Sequence, residues 1–119
     1  MKRYFPALFL LLFVVSCSKE KLPEGRFEAK LVASFCSYHI VEITDARYKN
    51  AGLDWKDASG KQYNNVFTVK NHCDFAKSGI KTGDRFYAII ADSATEAGCA
   101  VCMGFLDTPP LQLNIKIVE

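Results

Sequence analysis

Apolar and polar residues alternate along two long segments of the chain, and a period of two predicts β-strands. The first segment runs over residues 27–35 and the second over residues 111–117. Their apolar positions are Phe27, Ala29, Leu31, Ala33 and Phe35, and Leu111, Leu113, Ile115 and Ile117. We expect each segment to form a strand that buries its apolar side and exposes the other.

Shorter segments that are rich in β-branched and aromatic residues predict further strands. These segments are residues 38–44, 66–70, 85–91 and 101–106.

Short polar segments separate these strands and predict turns. Residues 57–60 and 81–84 have the composition of tight turns. Residues 74–78 fit one helical turn that ends at a glycine. Ser93 and Glu96 have the spacing of a capping box, so a second single turn is expected there.

Five or six short strands with little helix predict an all-β fold, a small barrel over residues 26–119. Residues 27–44 form either one long bent strand or two strands joined near residues 34–37. A long bent first strand, the β-rich order and a one-turn helix resemble the OB-like barrel. The segments NVFTVKNHCDF, IKTGDRFYAII and CAVCMGF also resemble small uncharacterised lipoproteins of Gram-negative bacteria. These resemblances imply a five- or six-stranded OB-like barrel and no particular activity.

Residues 1–16 have the layout of a secretory signal peptide. Lys2 and Arg3 precede a short segment that is apolar apart from one tyrosine hydroxyl and contains one proline. That segment is shorter than the roughly 20 apolar residues of a membrane-spanning helix. A basic start, a short apolar run and a small residue before the cut are typical of exported proteins.

The sequence VVSC at residues 14–17 resembles the lipobox of bacterial lipoproteins, with valine where leucine is commoner. The resemblance implies cleavage before Cys17, fatty acylation of that residue and a polar tether over residues 17–25. Ser18, in place of an aspartate, implies sorting to the outer membrane. The alternatives are an ordinary secretory signal that leaves Cys17 as a free thiol, or an uncleaved anchor helix.

The charge of the exported part argues against nucleic acid as a partner. Without Lys2 and Arg3 the basic residues fall from 15 to 13 and equal the 13 acidic residues. A neutral chain lacks the basic surface that binds a phosphate backbone.

Four cysteines remain after Cys17, and in an oxidising compartment an even number predicts disulfides. They allow three pairings. A Cys99–Cys102 bridge would close a very short loop, so two long-range bridges, Cys36–Cys102 and Cys73–Cys99, are favoured.

A metal- or thiol-handling protein is the alternative function. Its soft or borderline ligands would be Cys36, His72, Cys73, Cys99 and Cys102. No zinc-finger spacing or thioredoxin-like βαβ unit surrounds them, so structural disulfides are favoured. We expect His39, in step with Val41 and Ile43, to lie at the edge of the core. No catalytic signature is present, and we expect neither an enzyme nor a bound metal or cofactor.

Aromatic residues in or beside the long polar segment 45–65 are the candidate ligand contacts. They are Tyr48, Trp55 and Tyr63. Aromatic faces beside polar groups suit sugars, and OB barrels bind oligomers through their loops. Alternatively, Trp55 packs against one end of the barrel and has only a structural role. The sequence thus predicts a membrane-anchored binding or interaction module, with an oligosaccharide or a protein of the cell envelope as its partner.

Overall fold

The computed structural model describes residues 22–92, 99, 104 and 106–119. The described chain forms six strands and one short helix. The strands are β1 (Phe27–Phe35), β2 (Tyr38–Ile43), β3 (Leu53–Lys56), β4 (Gln62–Val69), β5 (Arg85–Ala91) and β6 (Gln112–Val118). A 3₁₀ turn spans Ala46–Tyr48, and helix α1 spans His72–Ala76.

Five of the strands close into a barrel. Strand β1 pairs with β2 and with β5, and β5 pairs with β6, all antiparallel. Strand β4 pairs antiparallel with β2 and parallel with β6, which completes the ring. Strand β3 is additional and forms a hairpin with β4. The all-β, OB-like fold expected from the sequence is therefore confirmed.

The barrel interior is filled by the apolar sides of the strands. The buried core consists of Phe27, Ala29, Leu31, Val41, Ile43, Ala51, Phe67, Val69, Phe75, Phe86, Ala88, Leu113 and Ile115. The predicted alternation is confirmed in β6, where Leu113 and Ile115 are buried and Gln112 is exposed. The alternation in β2 puts His39 on the same side as Val41 and Ile43, and the His39 side chain is 6% exposed.

The alternation in β1 fails in its second half. Phe27, Ala29 and Leu31 are buried as predicted, but Phe35 is 47% exposed. The pairing with β2 shifts register between Leu31 and Ala33. A β-bulge adds one residue to one strand, so the side chains beyond it change faces. The alternation of apolar and polar residues therefore predicts the wrong side of the strand for Phe35.

The segment 45–65 contains more regular structure than the sequence predicts. It holds the 3₁₀ turn, all of β3 and the first residues of β4, where the sequence predicts only a connection. The reason is the position of β3 outside the closed barrel: none of its four residues is buried. A strand that buries neither face carries no apolar periodicity for the sequence to reveal.

The predicted turns are confirmed. The amide of Gly60 donates to the Asp57 carbonyl at 3.0 Å, and that of Asp84 to the Lys81 carbonyl at 2.9 Å. Gly60 has φ +91°, which suits a glycine. The helical turn begins at His72, two residues earlier than predicted. The turn predicted at Ser93–Glu96 and most of the strand predicted at 101–106 lie outside the described residues.

Asp45, just after β2, hydrogen-bonds to the beginning of β1. Its carboxylate accepts hydrogen bonds from the backbone amides of Arg47, at 3.0 Å, and Glu28, at 3.3 Å. The Arg47 guanidinium donates to both carboxylate oxygens, at 3.0 and 2.8 Å. This guanidinium, followed by the two amides, holds the pKa of Asp45 well below its usual range.

Asp45→Asn should lower the free energy of unfolding by about 1 kcal/mol at neutral pH, the usual cost of weakening a cap. A carboxyl whose pKa is depressed on folding stabilises above its unfolded pKa of about 3.9, and that stabilisation declines as the pH falls below it. Urea titrations at pH 7 and pH 3 should therefore show a smaller difference between variant and wild type at pH 3. Glu24→Gln, at an exposed position, is the matched control. A difference that does not depend on pH would contradict this account.

Candidate functional site

Two of the three predicted ligand contacts lie together on the hairpin of β3 and β4. Trp55 and Tyr63 are partners across the two strands, and their rings stack with centroids 5.6 Å apart and planes at 28°. The Lys61 ammonium lies 5.0 Å from the centroid of the Tyr63 ring. Cross-strand aromatic pairs and cation–π contacts of this kind each stabilise a hairpin modestly. The hairpin thus holds a row of three side chains in the order Trp55, Tyr63, Lys61.

Tyr48 is separate from this row. Its ring packs against the barrel core, and its carbonyl accepts a hydrogen bond from the Asn65 amide at 2.9 Å. Trp55, in contrast, is half-buried on the hairpin and lies outside the core cluster of the described residues. The structure therefore gives Tyr48 a packing position and leaves Trp55 and Tyr63 near the surface.

A cleft of about 350 Å³ lies beside this hairpin. One wall is the hairpin itself, the other is the turn before β5, and the base is formed by β1 and β2. Lys30 and Glu42 face each other across that base as partners in the sheet. The lining residues are Lys30, Leu31, Val32, Glu42, Lys61, Gln62, Tyr63, Asn64, Thr82 and Gly83. Most of these side chains are polar, and Tyr63 contributes the aromatic ring.

The outer face of β2 and β4, by contrast, is covered at Ile40 and Thr68. Ile40 and Thr68 are partners across these strands and are 1% and 5% exposed, although neither belongs to the barrel core. The Thr68 hydroxyl donates to the buried Pro109 carbonyl at 2.8 Å. In OB folds the corresponding strand face commonly receives the ligand. Here the chain itself covers Ile40 and Thr68, while a second cleft of about 300 Å³, lined in part by Tyr38, Thr68 and Thr108, borders that face. The cleft beside the hairpin is the candidate site because Tyr63, one of the predicted ligand contacts, lines it.

Sequence patterns did not reveal the two buried asparagines that organise the loops around the barrel. The Asn71 side chain donates to the Ile115 carbonyl at 2.6 Å and accepts from the Ile115 amide at 2.9 Å. Asn65 has φ +57° and bonds to three segments of backbone. Asparagine is favoured in exposed turns, so its position in the sequence carried no signal of burial at either site.

The disulfide predicted between Cys73 and Cys99 is present, with Cα atoms 5.6 Å apart. It joins α1 to the segment before β6 and closes a loop with a sequence separation of 26 residues. The chain-entropy model assigns such a loop about 3.5 kcal/mol. Cys36 is disulfide-bonded as well. Its predicted partner Cys102 lies outside the described residues, and so does Cys17.

The two histidines have different surroundings, and His72 lies beside this disulfide. The His72 Nδ1 is 3.6 Å from the sulfur of Cys73 and 3.6 Å from that of Cys99. His39 is buried, with Nδ1 2.8 Å from the Ser34 hydroxyl and its ring 4.8 Å from that of Phe75. Burial, and then the charge of His72, lower the pKa of His39. The folded protein therefore favours the neutral form of His39.

Comparisons with known proteins identify no family for this chain. No family model matches it, and no curated protein or solved structure is significantly similar to it.

Among the described residues, no helix is both long and apolar enough to cross a bilayer.

Proposed function

We propose that this chain is an outer-membrane lipoprotein, anchored through acylated Cys17, whose OB-like barrel binds an oligosaccharide of the cell envelope without catalysis. The anchor is inferred from the sequence VVSC at residues 14–17 and the signal-like segment before it. The binding role rests on the polar cleft beside the hairpin.

The lining of the cleft suits a sugar better than an apolar ligand. Sites for drug-like molecules are lined mainly by apolar side chains with a few polar groups. Here Gln62, Asn64 and Thr82 can donate and accept hydrogen bonds, and Lys30 donates. Hydroxyl groups of a sugar need both kinds of partner, and an aromatic ring offers an apolar surface for the C–H face of the sugar.

The charges of the cleft also favour a neutral or weakly anionic ligand. Lys30 and Lys61 place two positive charges in the lining against the single negative charge of Glu42. A nucleic acid would need a longer basic surface than these two lysines provide.

The single tryptophan of the chain provides a direct test, because it stacks on a residue that lines the cleft. Detergent-extracted mature protein is titrated with soluble peptidoglycan disaccharides and with the core oligosaccharide of lipopolysaccharide, and tryptophan fluorescence is recorded. One of these saccharides should change the fluorescence saturably. Tyr63→Ala should raise the dissociation constant by about tenfold, which corresponds to about 1.4 kcal/mol.

Tyr87→Ala is the matched control. Tyr87 is an exposed tyrosine on β5, 39% accessible and covered by the Arg26 guanidinium instead of lining the cleft. Its loss should leave the dissociation constant unchanged. The saccharide proposal fails if neither saccharide gives a saturable change, or if the two tyrosine variants lose equal affinity. Circular dichroism of each variant verifies that the barrel is folded.

A further inference from the structure

One histidine nitrogen and two cysteine sulfurs converge at the beginning of α1. The three atoms, from His72, Cys73 and Cys99, lie within 4.8 Å of one another. The His72 Nδ1 is equidistant from the two sulfurs, at 3.6 Å. In a tetrahedral zinc site, bonds of about 2.3 Å to sulfur and 2.0–2.1 Å to nitrogen place sulfur and nitrogen about 3.5 Å apart. The histidine thus already lies at ligand distance from both sulfurs.

The disulfide prevents these sulfurs from binding a metal in the oxidised protein. Bonded sulfurs carry no thiolate, and the thiolate is the form that binds metal. The backbone, however, already has suitable spacing. Two thiolates on one tetrahedral metal lie somewhat under 4 Å apart, and Cα atoms 5.6 Å apart allow that separation through side-chain rotation alone.

We propose that reduction of the Cys73–Cys99 disulfide creates, together with His72, a three-ligand site for a thiophilic d¹⁰ cation, Zn²⁺ or Cu⁺. This site is independent of the saccharide cleft and of the lipid anchor. Two thiolates with one imidazole are a donor set that both cations accept.

The reaction balances in two steps. A dithiol reductant donates two electrons and two protons, so the S–S bond breaks, two thiols form and the reductant becomes a disulfide. The cation then binds the two sulfurs and displaces their two protons. Oxidation of the thiols removes the thiolate ligands, so the disulfide and the metal exclude each other.

Among the described residues, the ligand atoms of these three lie together, and His39 and Cys36 are not part of the group. The Nδ1 of His39 is engaged with Ser34 and its ring packs on Phe75. Cys36 belongs to a separate disulfide, and its sulfur lies outside this group of ligand atoms. Cys73 is buried while His72 and Cys99 are half-buried, so a cation can approach from the side of the histidine.

The test uses cysteine protection in the full mature protein. The protein is reduced anaerobically with a phosphine and divided into samples with no metal, with Zn²⁺ and with Cu⁺. Each sample is alkylated and the modified cysteines are mapped by mass spectrometry. We expect metal to slow alkylation of Cys73 and Cys99 at least tenfold while Cys36 and Cys102 react as without metal.

Two variants identify the nitrogen ligand. His72→Ala removes a direct ligand and should weaken metal affinity about 100-fold or more in a chelator competition, since the loss of even an outer-shell partner costs roughly 10–100-fold. Asp74→Asn, which changes the next carboxylate along α1, should bind as the wild type does. The comparison of Zn²⁺ with Cu⁺ shows which cation the reduced site prefers.

Three results would each overturn the proposal. The first is the absence of protection at Cys73 and Cys99 with either metal, including the case in which the reduced protein unfolds. The second is protection at Cys36 and Cys102 instead. The third is unchanged affinity in His72→Ala.

Discussion

Replacing Cys17 with serine will abolish acylation of the protein and leave residues 1–16 attached. The proposed anchor requires a sulfur, because the diacylglycerol is carried as a thioether and a serine hydroxyl is not a substitute. Each buried methylene contributes about 0.8 kcal/mol to membrane affinity. A single chain binds only reversibly, whereas two or three chains hold the protein at the membrane effectively without release. Because the variant has no acceptor thiol at position 17, it should lose essentially all acyl label.

The measurement is metabolic labelling with an alkyne fatty acid, followed by mass spectrometry of the N-terminal peptide. An uncleaved leader can itself retain the variant in the membrane fraction, so the acyl label and the N-terminal mass decide the result. Ser18→Ala keeps the sulfur and should be acylated like the wild type. The anchor proposal is wrong if the wild-type protein carries no acyl chain, or if Cys17→Ser is labelled to the same extent.

Asn65→Ala will destabilise the barrel by about 3–5 kcal/mol. The Asn65 side chain accepts from the Gly52 amide at 2.6 Å and donates to the carbonyls of Ile43 and Tyr48, each at 2.9 Å. Alanine would leave these three backbone groups without that partner, at about 1 kcal/mol or more apiece when buried. It would also occupy the left-handed region without the local side-chain hydrogen bonding that lets asparagine tolerate it, at a cost of up to about 1–2 kcal/mol.

The close approach of Gly52 to the same residue adds a second constraint. A Cβ on Gly52 would lie 2.6 Å from the Asn65 carbonyl carbon and 2.8 Å from the Val66 nitrogen. Both atoms belong to the backbone and cannot rotate away. Residues 50–52 therefore have little room to repack around a vacancy at Asn65.

Urea denaturation of three variants separates the contributions. Asn65→Gly removes the side-chain hydrogen bonds but tolerates φ +57°, so it should be about 1 kcal/mol more stable than Asn65→Ala. Asn64→Ala, next in the chain and exposed, should differ from the wild type by less than about 0.5 kcal/mol. Equal stability of Asn64→Ala and Asn65→Ala would show that the hydrogen bonds of Asn65 contribute nothing measurable.

The proposed site was only partly predictable from its residues. Trp55 and Tyr63 stack on each other, and Tyr63 lines the cleft; that they contact a ligand stays a prediction. Tyr48, from the same segment, packs against the core instead. Lys30 and Thr82 line the cleft although they are far from the hairpin in sequence. Only barrel closure brings these residues together, and no local pattern encodes that closure.

The disulfides show the same division. An even number of cysteines in an exported chain predicts bridges, and the pairing of Cys73 with Cys99 was expected. The sequence shows only that a histidine precedes Cys73. The fold places the ring of His72 3.6 Å from the sulfurs of both Cys73 and Cys99.

The sequence by itself determined the strands that bury one side, because burial of alternate side chains leaves a period of two that can be read directly. It also determined the turns at Gly60 and Gly83, since their left-handed backbone favours glycine. Only the tertiary structure decided the exposed face of Phe35, the extra strand Leu53–Lys56 and the buried role of Asn65. The bulge and the edge pairing depend on how neighbouring strands pair, and the Asn65 hydrogen bonds depend on segments 13 to 22 residues away, so the apolar pattern of a single segment records none of them.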